Sequence, residues 1–411
     1  MSEYKLTIHL KQHTPMIHFQ YAESGVVLRA TDVKPKLDRF LITQYEKTGK
    51  QIPDIWKLPK SDQNANDALR YRMTIAATGN PTRSKDICKS YFGNMGNNYK
   101  ETIMYNKPDM VTVSILCFYP DLLKHLSEHI QAFFVLNNFG TRQNKGFGSF
   151  TVSKIDGKSA ALSVEKIQQI LIKYHVDEEN EYQPCYMIQY RRADHNEQMV
   201  DIADIYTLMK SGLNRPPCYA RSFIYQYMHS QKGIGNEKAW MKQQRISPIT
   251  HRNDNNPRGE HLIQNAPHRQ KYVRALLGTP GFLRYSHEIT PFPNKRTAWA
   301  VINIAHKSGK IKRVPSPILF KVIDGMTFII PSEPNPEILG QDFSFLGERR
   351  YKYKDGTLRT PEKSEFLMSD FMEHFVRYIN TDANLKKFGR YMPYFNSPKK
   401  IIQVKGDVTN G

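Results

Sequence analysis

Cysteine is scarce in this sequence, and the few cysteines are scattered. The chain has 411 residues, and no two of its 4 cysteines form a C-x-x-C pair. Zinc sites and disulfide frameworks are recognised from such spacings, so neither is predicted, and no metal or cofactor is expected. Cys117 lies inside an apolar run that begins at Val111, where a small buried side chain is the favoured interpretation. The cysteines are Cys88, Cys117, Cys185 and Cys218.

Long hydrophobic runs are absent as well. No apolar run approaches the roughly 20 residues that a membrane-spanning helix needs. The first ten residues, MSEYKLTIHL, carry no apolar core of the kind found in signal peptides. We therefore expect a cytoplasmic protein that has no membrane partner.

Acidic residues are in the minority. The chain has 39 Asp and Glu against 59 Lys and Arg, which gives a formal net charge of +20. The excess is spread along the chain instead of forming one basic tail, which is typical of folded proteins that bind nucleic acid or another polyanion. A hydrophobic content of 39% and this length allow two or three domains, each with its own core.

The most informative stretch is residues 138–152, which read NFGTRQNKGFGSFTV. Glycine lacks a Cβ, so its backbone can adopt positive φ and turn N–H groups toward phosphate oxygens, while the two cations here would neutralise phosphate. The spacing matches neither G-x-G-x-x-G nor the Walker pattern, and the alternative is a flexible hairpin with ordinary turn glycines. The predicted binding residues, called the glycine loop below, are Gly140, Thr141, Arg142, Gln143, Asn144, Lys145, Gly146, Phe147 and Gly148.

The first half of the chain predicts the element order strand, helix, strand, strand, helix, strand. Period-two alternation of apolar residues indicates the strands, and apolar residues on one face indicate the helices. Thr31 or Asp32 is the expected cap of the first helix. This βαββαβ order is that of a ferredoxin-like domain. The predicted elements are strand 4–10, helix 31–41, strand 69–75, strand 111–118, helix 120–130 and strand 147–152.

The second half repeats the same order, with helices and a hairpin between the outer strands. Asp324-Gly325 between two apolar runs is a strong hairpin signal. No second glycine loop occurs, so any phosphate cradle belongs mainly to the first half. The predicted elements are strand 186–190, helices 202–209 and 223–228, strands 318–323 and 327–330, helix 367–379 and strand 399–404.

Two long segments interrupt these patterns. Residues 79–109 are rich in Asn, Gly, Lys and Tyr and are interpreted as a loop-like insertion. Residues 233–271 are polar and basic, which favours a disordered segment or one that a partner orders, with Trp240 and Tyr272 as candidates for base stacking. The histidines of this segment have no metal-ligand spacing. They are His251, His261 and His268.

Several motifs of the sequence resemble those of a known protein family. The sequence is similar to the RAMP superfamily of CRISPR effector subunits, most of all to the first RAMP subunit of the type III-B RNA-silencing complex. The likeness covers most of the chain and is carried by four motifs. These are Thr14-Pro15, the Arg-Ala-Thr-x-x-Lys pattern of 29–34, the Gly-x-Arg-x-x-Lys-Gly-Phe-Gly pattern of 140–148, and Val314-Pro315-Ser316-Pro317-Ile318.

The resemblance implies an α+β protein built from two ferredoxin-like RAMP domains, residues 1–175 and 176–411. It also implies an antiviral complex in which this subunit holds the 3′ region of a CRISPR guide RNA and helps to capture target RNA beside other RAMP subunits. Base pairing would read the sequence, while the protein would grip backbone and shape. Helix residues would extend the basic track of the glycine loop. Those residues are Arg29, Thr31, Lys34 and Arg39.

Two alternatives remain open. A CRISPR-RNA-processing endoribonuclease has the same double ferredoxin-like fold and would need a general acid and base, for which His18 or His13 is the candidate. Its glycine loop, however, lies late in the chain, and we expect this protein not to be an enzyme. The other alternative is an RNA-binding scaffold outside CRISPR immunity.

Overall fold

The structure is a computed structural model, and its chain forms two compact units. The first comprises residues 1–203, 319–330 and 388–411, and the second comprises residues 204–318 and 331–387. Among the described residues, no helix is both long and apolar enough to cross a membrane. The described residues are 4–17, 28–59, 67–78, 82–84, 104–106, 111–177, 181–188, 195–215, 218–243, 269–288, 297–311, 313–346, 355–389 and 400–405.

The helices of the described residues follow the apolar periodicity of the sequence. The first begins one residue before the predicted cap, with Arg29 at the N-cap and no side-chain cap, so the capping role predicted for Thr31 or Asp32 is wrong. The α-helices are α1 (Ala30–Glu46), α2 (Pro120–Leu136), α3 (Val164–Tyr174), α4 (His195–Lys210), α5 (Phe223–Lys232), α6 (Glu237–Gln243), α7 (Met368–Ile379) and α8 (Asp382–Gly389). Short 3-10 helices cover Asp54–Trp56, Val273–Leu277, Pro336–Ile338 and Lys363–Glu365.

The strands are mostly short and, with one exception, pair antiparallel where their register is given. The exception is the two-residue pair at Gly235 and Gln270. In chain order they are β1 (Lys5–Gln12), β2 (Met16–Ile17), β3 (Arg72–Ala77), β4 (Thr82–Ser84), β5 (Met104–Asn106), β6 (Val111–Leu116), β7 (Phe150–Ile155), β8 (Lys158–Ser159), β9 (Tyr186–Ile188), β10 (Leu213–Arg215), β11 (Cys218–Ala220), β12 (Gly235–Asn236), β13 (Gln270–Lys271), β14 (Phe282–Glu288), β15 (Thr297–His306), β16 (Ile318–Ile323), β17 (Met326–Pro331), β18 (Asp342–Leu346), β19 (Gly356–Arg359) and β20 (Ile401–Gln403).

The main sheet of the first unit has the strand order β3-β6-β1-β7-β8. β1 lies between β6 and β7, with Ile8 opposite Val113 on one side, and its alternate residues are buried. The apolar faces of α1 and α2 pack in the same core, for example through Leu37 and Leu126, both fully buried. Each such side chain contributes about 1.5–3 kcal/mol on burial. The order β1, α1, β3, β6, α2, β7 agrees with the prediction for the first half.

The segment 79–109 is not entirely loop-like. Within its described residues, β4 and β5 pair with each other, and β5 also pairs with β2 to form a small sheet. Three-residue strands leave too little alternation for a periodicity signal, because only one or two side chains face each side.

A second sheet has the order β16-β17-β9-β20 and contains the predicted hairpin at Asp324-Gly325. Both turn residues have positive φ, 46° and 79°, as the turn chemistry requires. Cys185 is buried in the core of this sheet with Phe328 and Val404. Nearly all of the sheet belongs to the first compact unit, so the compact units divide the chain differently from the predicted boundary at residues 175 and 176.

The second unit contains a sheet that the sequence does not predict, β14-β15-β18-β19. Its core includes Tyr272, fully buried with its ring edge-on to Phe345, and Trp240, whose ring lies 5.4 Å from the same phenylalanine. Burial makes Tyr272 a core residue, so its predicted role in base stacking is wrong. The described ends of the segment 233–271 are ordered as β12, α6 and β13, whereas His251, His261 and His268 lie outside the described residues.

Candidate nucleic-acid interface

The glycine loop connects α2 to β7 and is tied to the protein by its backbone. The Phe139 N–H donates to the Gly148 carbonyl at 3.0 Å, the Thr141 N–H to the Ile17 carbonyl at 2.9 Å, and the Gly148 N–H to the Pro15 carbonyl at 2.9 Å. These bonds hold the start and the end of the loop. This bonding favours an ordered loop over the flexible hairpin that was the alternative.

Residues before the loop complete these ties. The Thr14 hydroxyl donates to the Gly146 carbonyl at 2.6 Å and accepts from the Ser149 N–H at 3.0 Å. The Thr14-Pro15 turn that contributes to the family resemblance therefore holds the last residues of the glycine loop. This contact gives the motif a physical reason, because Thr14 supplies both a donor and an acceptor at one place.

The three glycines of the loop are required by the packing of the protein itself. All have positive φ, 80° at Gly140, 85° at Gly146 and 67° at Gly148. A Cβ on Gly148 would lie 1.9 Å from the Phe139 carbonyl oxygen, and one on Gly140 would lie 2.7 Å from the Ile17 carbonyl oxygen. Gly146 faces side chains of α4, where a Cβ would lie 2.9 Å from Ile202 Cδ1. The glycines thus shape the loop from within.

The two ends of the loop differ in exposure. Gly140 is exposed and residues 141–145 are half-buried, whereas Gly146, Phe147 and Gly148 are buried. Phe147 is fully buried, which makes its side chain part of the core. The first six predicted residues therefore lie at the surface, and the last three support them. Because positions 146–148 are buried, their geometry does not indicate direct contact with a ligand.

The Lys36 side chain of α1 joins the glycine loop and is not among the predicted binding residues. Its ammonium donates to the Asn138 carbonyl at 2.9 Å and to the Gln143 side-chain oxygen, and it lies 5.1 Å from the centre of the Phe139 ring. Partial burial lowers the pKa of Lys36 to about 8, since burial penalises the charged form. The sequence gives one indication of this role, because Lys36 is a basic residue two positions after Lys34, the last residue of the 29–34 motif.

The predicted residues of α1 fall into two groups. Arg39 is exposed and lies near enough to Lys36 to act on its charge, so it continues the basic surface of the loop. Arg29 pairs with Asp32 at 3.4 Å in the same helical turn. Thr31 is exposed near the helix start. Arg39 is therefore linked to the glycine loop by the intervening Lys36.

Lys34 lies in a different environment. Its ammonium pairs with Asp38 at 2.7 Å, donates to the Leu69 carbonyl at 3.0 Å and lies 4.2 Å from the centre of the Tyr71 ring. These contacts hold Lys34 at a cleft of about 490 Å³. Asp38 and Asp67 also line the cleft, and their negative charges repel phosphate. The cleft is lined by Lys34, Pro35, Asp38, Arg39, Ile42, Thr43, Leu58, Asp67 and Ala68.

A second lysine, Lys321 of β16, supports the glycine loop from the buried side. It is fully buried, and its ammonium donates to the carbonyls of Phe134, Asn137 and Phe150 at 2.7, 2.8 and 2.9 Å. The first of these carbonyls belongs to the last turn of α2 and the second directly follows that helix, where carbonyls have no partner within the helix. Burial lowers the pKa of Lys321 well below its usual range. No local pattern in the sequence identifies this residue.

Other contacts from β16 reinforce this support. The Ser149 hydroxyl donates to the Val322 carbonyl at 2.6 Å, and the Asn138 amide donates to the Phe320 carbonyl at 2.8 Å. The Phe320 N–H in turn donates to the Asn144 carbonyl at 3.2 Å. The buried side of the loop is thus bonded to a strand that lies about 180 residues later in the chain.

His13, one of the candidates for acid-base catalysis, is buried in a hydrogen-bonded contact. Its Nε2 lies 2.7 Å from the Thr151 hydroxyl, and its Nδ1 accepts from the Asp324 N–H at 3.2 Å. Burial lowers the pKa of His13, and Lys11 pairs with the Asp324 carboxylate at 2.6 Å. Both ring nitrogens are engaged with the protein, which explains His13 as a structural residue. His18 lies outside the described residues.

Protein-family models and a solved structure match this chain. The family model described as the Cmr1 N-terminal domain matches residues 3–213, and the model described as the Cmr1 C-terminal domain matches residues 219–400. The chain is also similar in structure to Cmr1 from Pyrococcus furiosus in its apo form, at 11% identity and a TM-score of 0.42, with 98% of this chain and 99% of that chain covered. No curated protein matches the sequence.

The two family matches together span nearly the whole chain and confirm the resemblance found in the sequence. They meet between residues 213 and 219. The chain belongs to the Cmr1 family, and it is a RAMP subunit of the type III-B CRISPR effector.

Proposed function

We propose that this subunit binds RNA through the glycine loop, holds the 3′ region of the guide RNA and assists target capture in antiviral defence. The observation that carries the proposal is the surface formed by residues 140–145 together with Lys36 and Arg39. Backbone hydrogen bonds hold this stretch, which carries Arg142 and Lys145, and its Gln143 side chain contacts the ammonium of Lys36, which lies near Arg39. A preorganised basic surface binds a phosphate backbone without the entropic cost of ordering a loop.

Such a surface recognises backbone and not base sequence. Arginine and lysine neutralise phosphates and release counterions, which gives affinity that depends on salt and not on the bases. In an RNA-guided complex this is sufficient, since base pairing between guide and target carries the sequence information. The partners are therefore guide RNA, target RNA and the other subunits of the effector, and the site of action is the cytoplasm.

We propose that the subunit is not catalytic. The first half offers His13 as the acid-base candidate, and its two nitrogens are engaged by Thr151 and Asp324. A general acid or base needs one nitrogen within reach of substrate. On this proposal, purified protein leaves both repeat RNA and guide-paired target RNA intact.

The decisive test is neutralisation of the two loop cations, Arg142→Gln with Lys145→Gln, which keeps most of each side chain. We expect RNA affinity to fall, and the slope of log affinity against log salt to decrease by about 1.4, because each single-strand phosphate contact contributes about 0.7. Thermal unfolding checks that the variant is folded, because Arg142 is half-buried with one guanidinium nitrogen enclosed. Affinity is measured by filter binding or fluorescence anisotropy across a salt series.

The matched control neutralises two exposed cations of the β7–β8 hairpin, Lys154→Gln with Lys158→Gln. It removes the same net charge, so a general loss of positive field would weaken binding equally in both variants. Equal salt slopes in the loop variant, the control and the parent, with the fold intact, would contradict the proposal and place the RNA contact elsewhere.

A further inference from the structure

Helix α2 carries a cluster of metal-ligand residue types that is unrelated to the glycine loop. Residues 125–129 read His-Leu-Ser-Glu-His, and one nitrogen of His125, one nitrogen of His129 and a carboxylate oxygen of Glu128 all lie within 4.8 Å of one another. Spacings of three and four residues bring side chains together on one face of a helix. The order H-x-x-E-H also occurs in a class of zinc enzymes, where the two histidines bind the metal.

The hydrogen bonds of the two rings leave one nitrogen of each available. His125 Nε2 lies 3.0 Å from the Leu41 carbonyl oxygen, and His129 Nδ1 lies 2.9 Å from the His125 carbonyl oxygen. A carbonyl only accepts, so both of these nitrogens are protonated and donate. Nδ1 of His125 and Nε2 of His129 therefore carry lone pairs. Donation of the other ring N–H to a backbone carbonyl is the usual second interaction of metal-binding histidines.

The surroundings suit a partly enclosed site with one open side. His125 is buried beside the rings of Tyr45 and Trp56, at 5.4 and 6.3 Å, while His129 is half-buried with its ring 5.8 Å from Tyr174. Glu128 is exposed. Aromatic side chains hold the imidazoles in place, and the exposed carboxylate leaves room for water as a further ligand.

We propose that His125, Glu128 and His129 bind one divalent transition-metal ion, with zinc the best match. Two imidazoles and a carboxylate with an open position are a known zinc ligand set, and imidazole also suits cobalt, nickel and copper. Ligands of one tetrahedral zinc lie about 3.3 Å apart, given bonds of about 2.0–2.1 Å. The three donor atoms must therefore close by about 1.5 Å at most, through rotation of the exposed Glu128 side chain and small movements of the half-buried His129 ring.

The site is separate from the glycine loop but adjoins α1, because His125 contacts the carbonyl oxygen of Leu41, two residues after Arg39. Eleven residues separate His125 from Leu136 at the end of α2, which is about 16 Å along the helix axis. Binding of the metal should therefore stabilise the first unit by mass action and leave unchanged the part of RNA affinity that depends on Arg142 and Lys145. Lys173 acts on His129 through its positive charge, so it opposes a bound cation.

The experiment titrates the full chain, stripped with EDTA, with zinc chloride and separately with cobalt chloride. Calorimetry counts zinc ions and gives affinities, and cobalt absorbance reports the geometry. We expect the parent to bind one more equivalent than His129→Gln, and Glu128→Gln to bind that equivalent at least about 10-fold more weakly, since even outer partners of metal ligands are worth this much. Lys173→Gln should tighten binding.

His374→Gln is the matched control, because His374 is also a half-buried helical histidine with a carboxylate partner, Asp370. It should bind as the parent does. Thermal unfolding without metal checks that each variant is folded, and Glu128→Gln keeps the test usable if the histidine variants unfold, because its side chain is exposed. Equal zinc stoichiometry and affinity in the parent, Glu128→Gln and folded His129→Gln would overturn the proposal, as would weaker binding in the control alone.

Discussion

The two ends of the glycine loop use similar residues for different purposes. Residues 140–145 lie at the surface with Arg142 and Lys145, whereas Gly146, Phe147 and Gly148 are buried against α4, Phe139 and the Thr14-Pro15 turn. In the sequence the stretch looks like one motif. In the structure its charged residues lie on the half-buried stretch and its later glycines make the close packing possible. A glycine beside cations therefore does not by itself mark a point of ligand approach.

The largest expected effect tests the buried end. Gly148→Ala should lower the free energy of unfolding by about 3 kcal/mol or more, because its Cβ would meet the Phe139 carbonyl oxygen at 1.9 Å and its φ is 67°. Urea unfolding followed by circular dichroism measures the loss. The matched control is Gly157→Ala, where φ is 78° and nothing lies within 4 Å of the added Cβ. Its cost should be only about 1–2 kcal/mol, and equal costs at both positions would refute the packing explanation.

An intermediate effect is expected at the support beneath the loop. Lys321→Met removes the donor of three carbonyls and should destabilise the protein by about 1–3 kcal/mol. The loss is not larger because the variant no longer has to bury an ammonium group. Chemical denaturation gives the value. The exposed Lys310→Met is the control and should be neutral. A variant as stable as the parent, with unchanged RNA binding, would show that the loop does not depend on Lys321.

The sign of the pH dependence follows from the direction of the shift. Because the pKa of Lys321 is lower in the folded protein than in the unfolded chain, the folded state releases its proton first as the pH rises. The cost of burying the charge is therefore full at low pH and is relieved as the pH rises toward about 10.4, the ordinary lysine value. Stability of the parent should rise with pH over this range, more steeply than that of Lys321→Met.

The smallest effect concerns the surface end. Lys36→Met should reduce the salt slope of RNA binding by about 0.7, one phosphate contact, because its cation adjoins Gln143 and Arg39. With a pKa of about 8, Lys36 is charged below that pH and neutral above it. The parent should lose this part of its affinity as the pH rises through 8, and the variant should show no such step. Identical pH profiles would exclude Lys36 from RNA binding.

Local patterns were sufficient for much of the first unit. The alternation of Leu6, Ile8 and Leu10 and the apolar face of α2 correctly indicated a strand and a helix, because both bury one side against a single core. The Asp324-Gly325 hairpin was also predictable, since its turn needs residues that accept positive φ. Seven of the thirteen predicted site residues, positions 140–145 and Arg39, lie together on one surface, although their contact with RNA stays a prediction.

Contacts between distant segments could not be predicted in the same way. Lys36 and Lys321 donate to backbone carbonyls that the fold brings near. Every residue has a backbone carbonyl, so the residue types in the sequence do not show which carbonyls a lysine will contact. The sheet of β14, β15, β18 and β19 was not predicted, because its longest strand, β15, has five consecutive apolar residues and so lacks strict period-two alternation. His125, Glu128 and His129 lie within the predicted helix 120–130, and their i, i+3 and i+4 spacing is visible in the sequence.

The contacts between Lys321 and the end of α2 have a consequence for synthesis of the protein. A ribosome completes α2 and β7 long before it reaches residue 321. Until then the carbonyls at the end of the helix lack the hydrogen bonds that Lys321 donates in the folded protein. Closing so long a loop is slow compared with forming local elements. A chain that stops near residue 213, where the first family domain ends, would lack this donor altogether. The glycine loop therefore gains all of its supporting contacts only in a chain that includes β16. On the proposed function, chains that end before β16 should bind RNA more weakly.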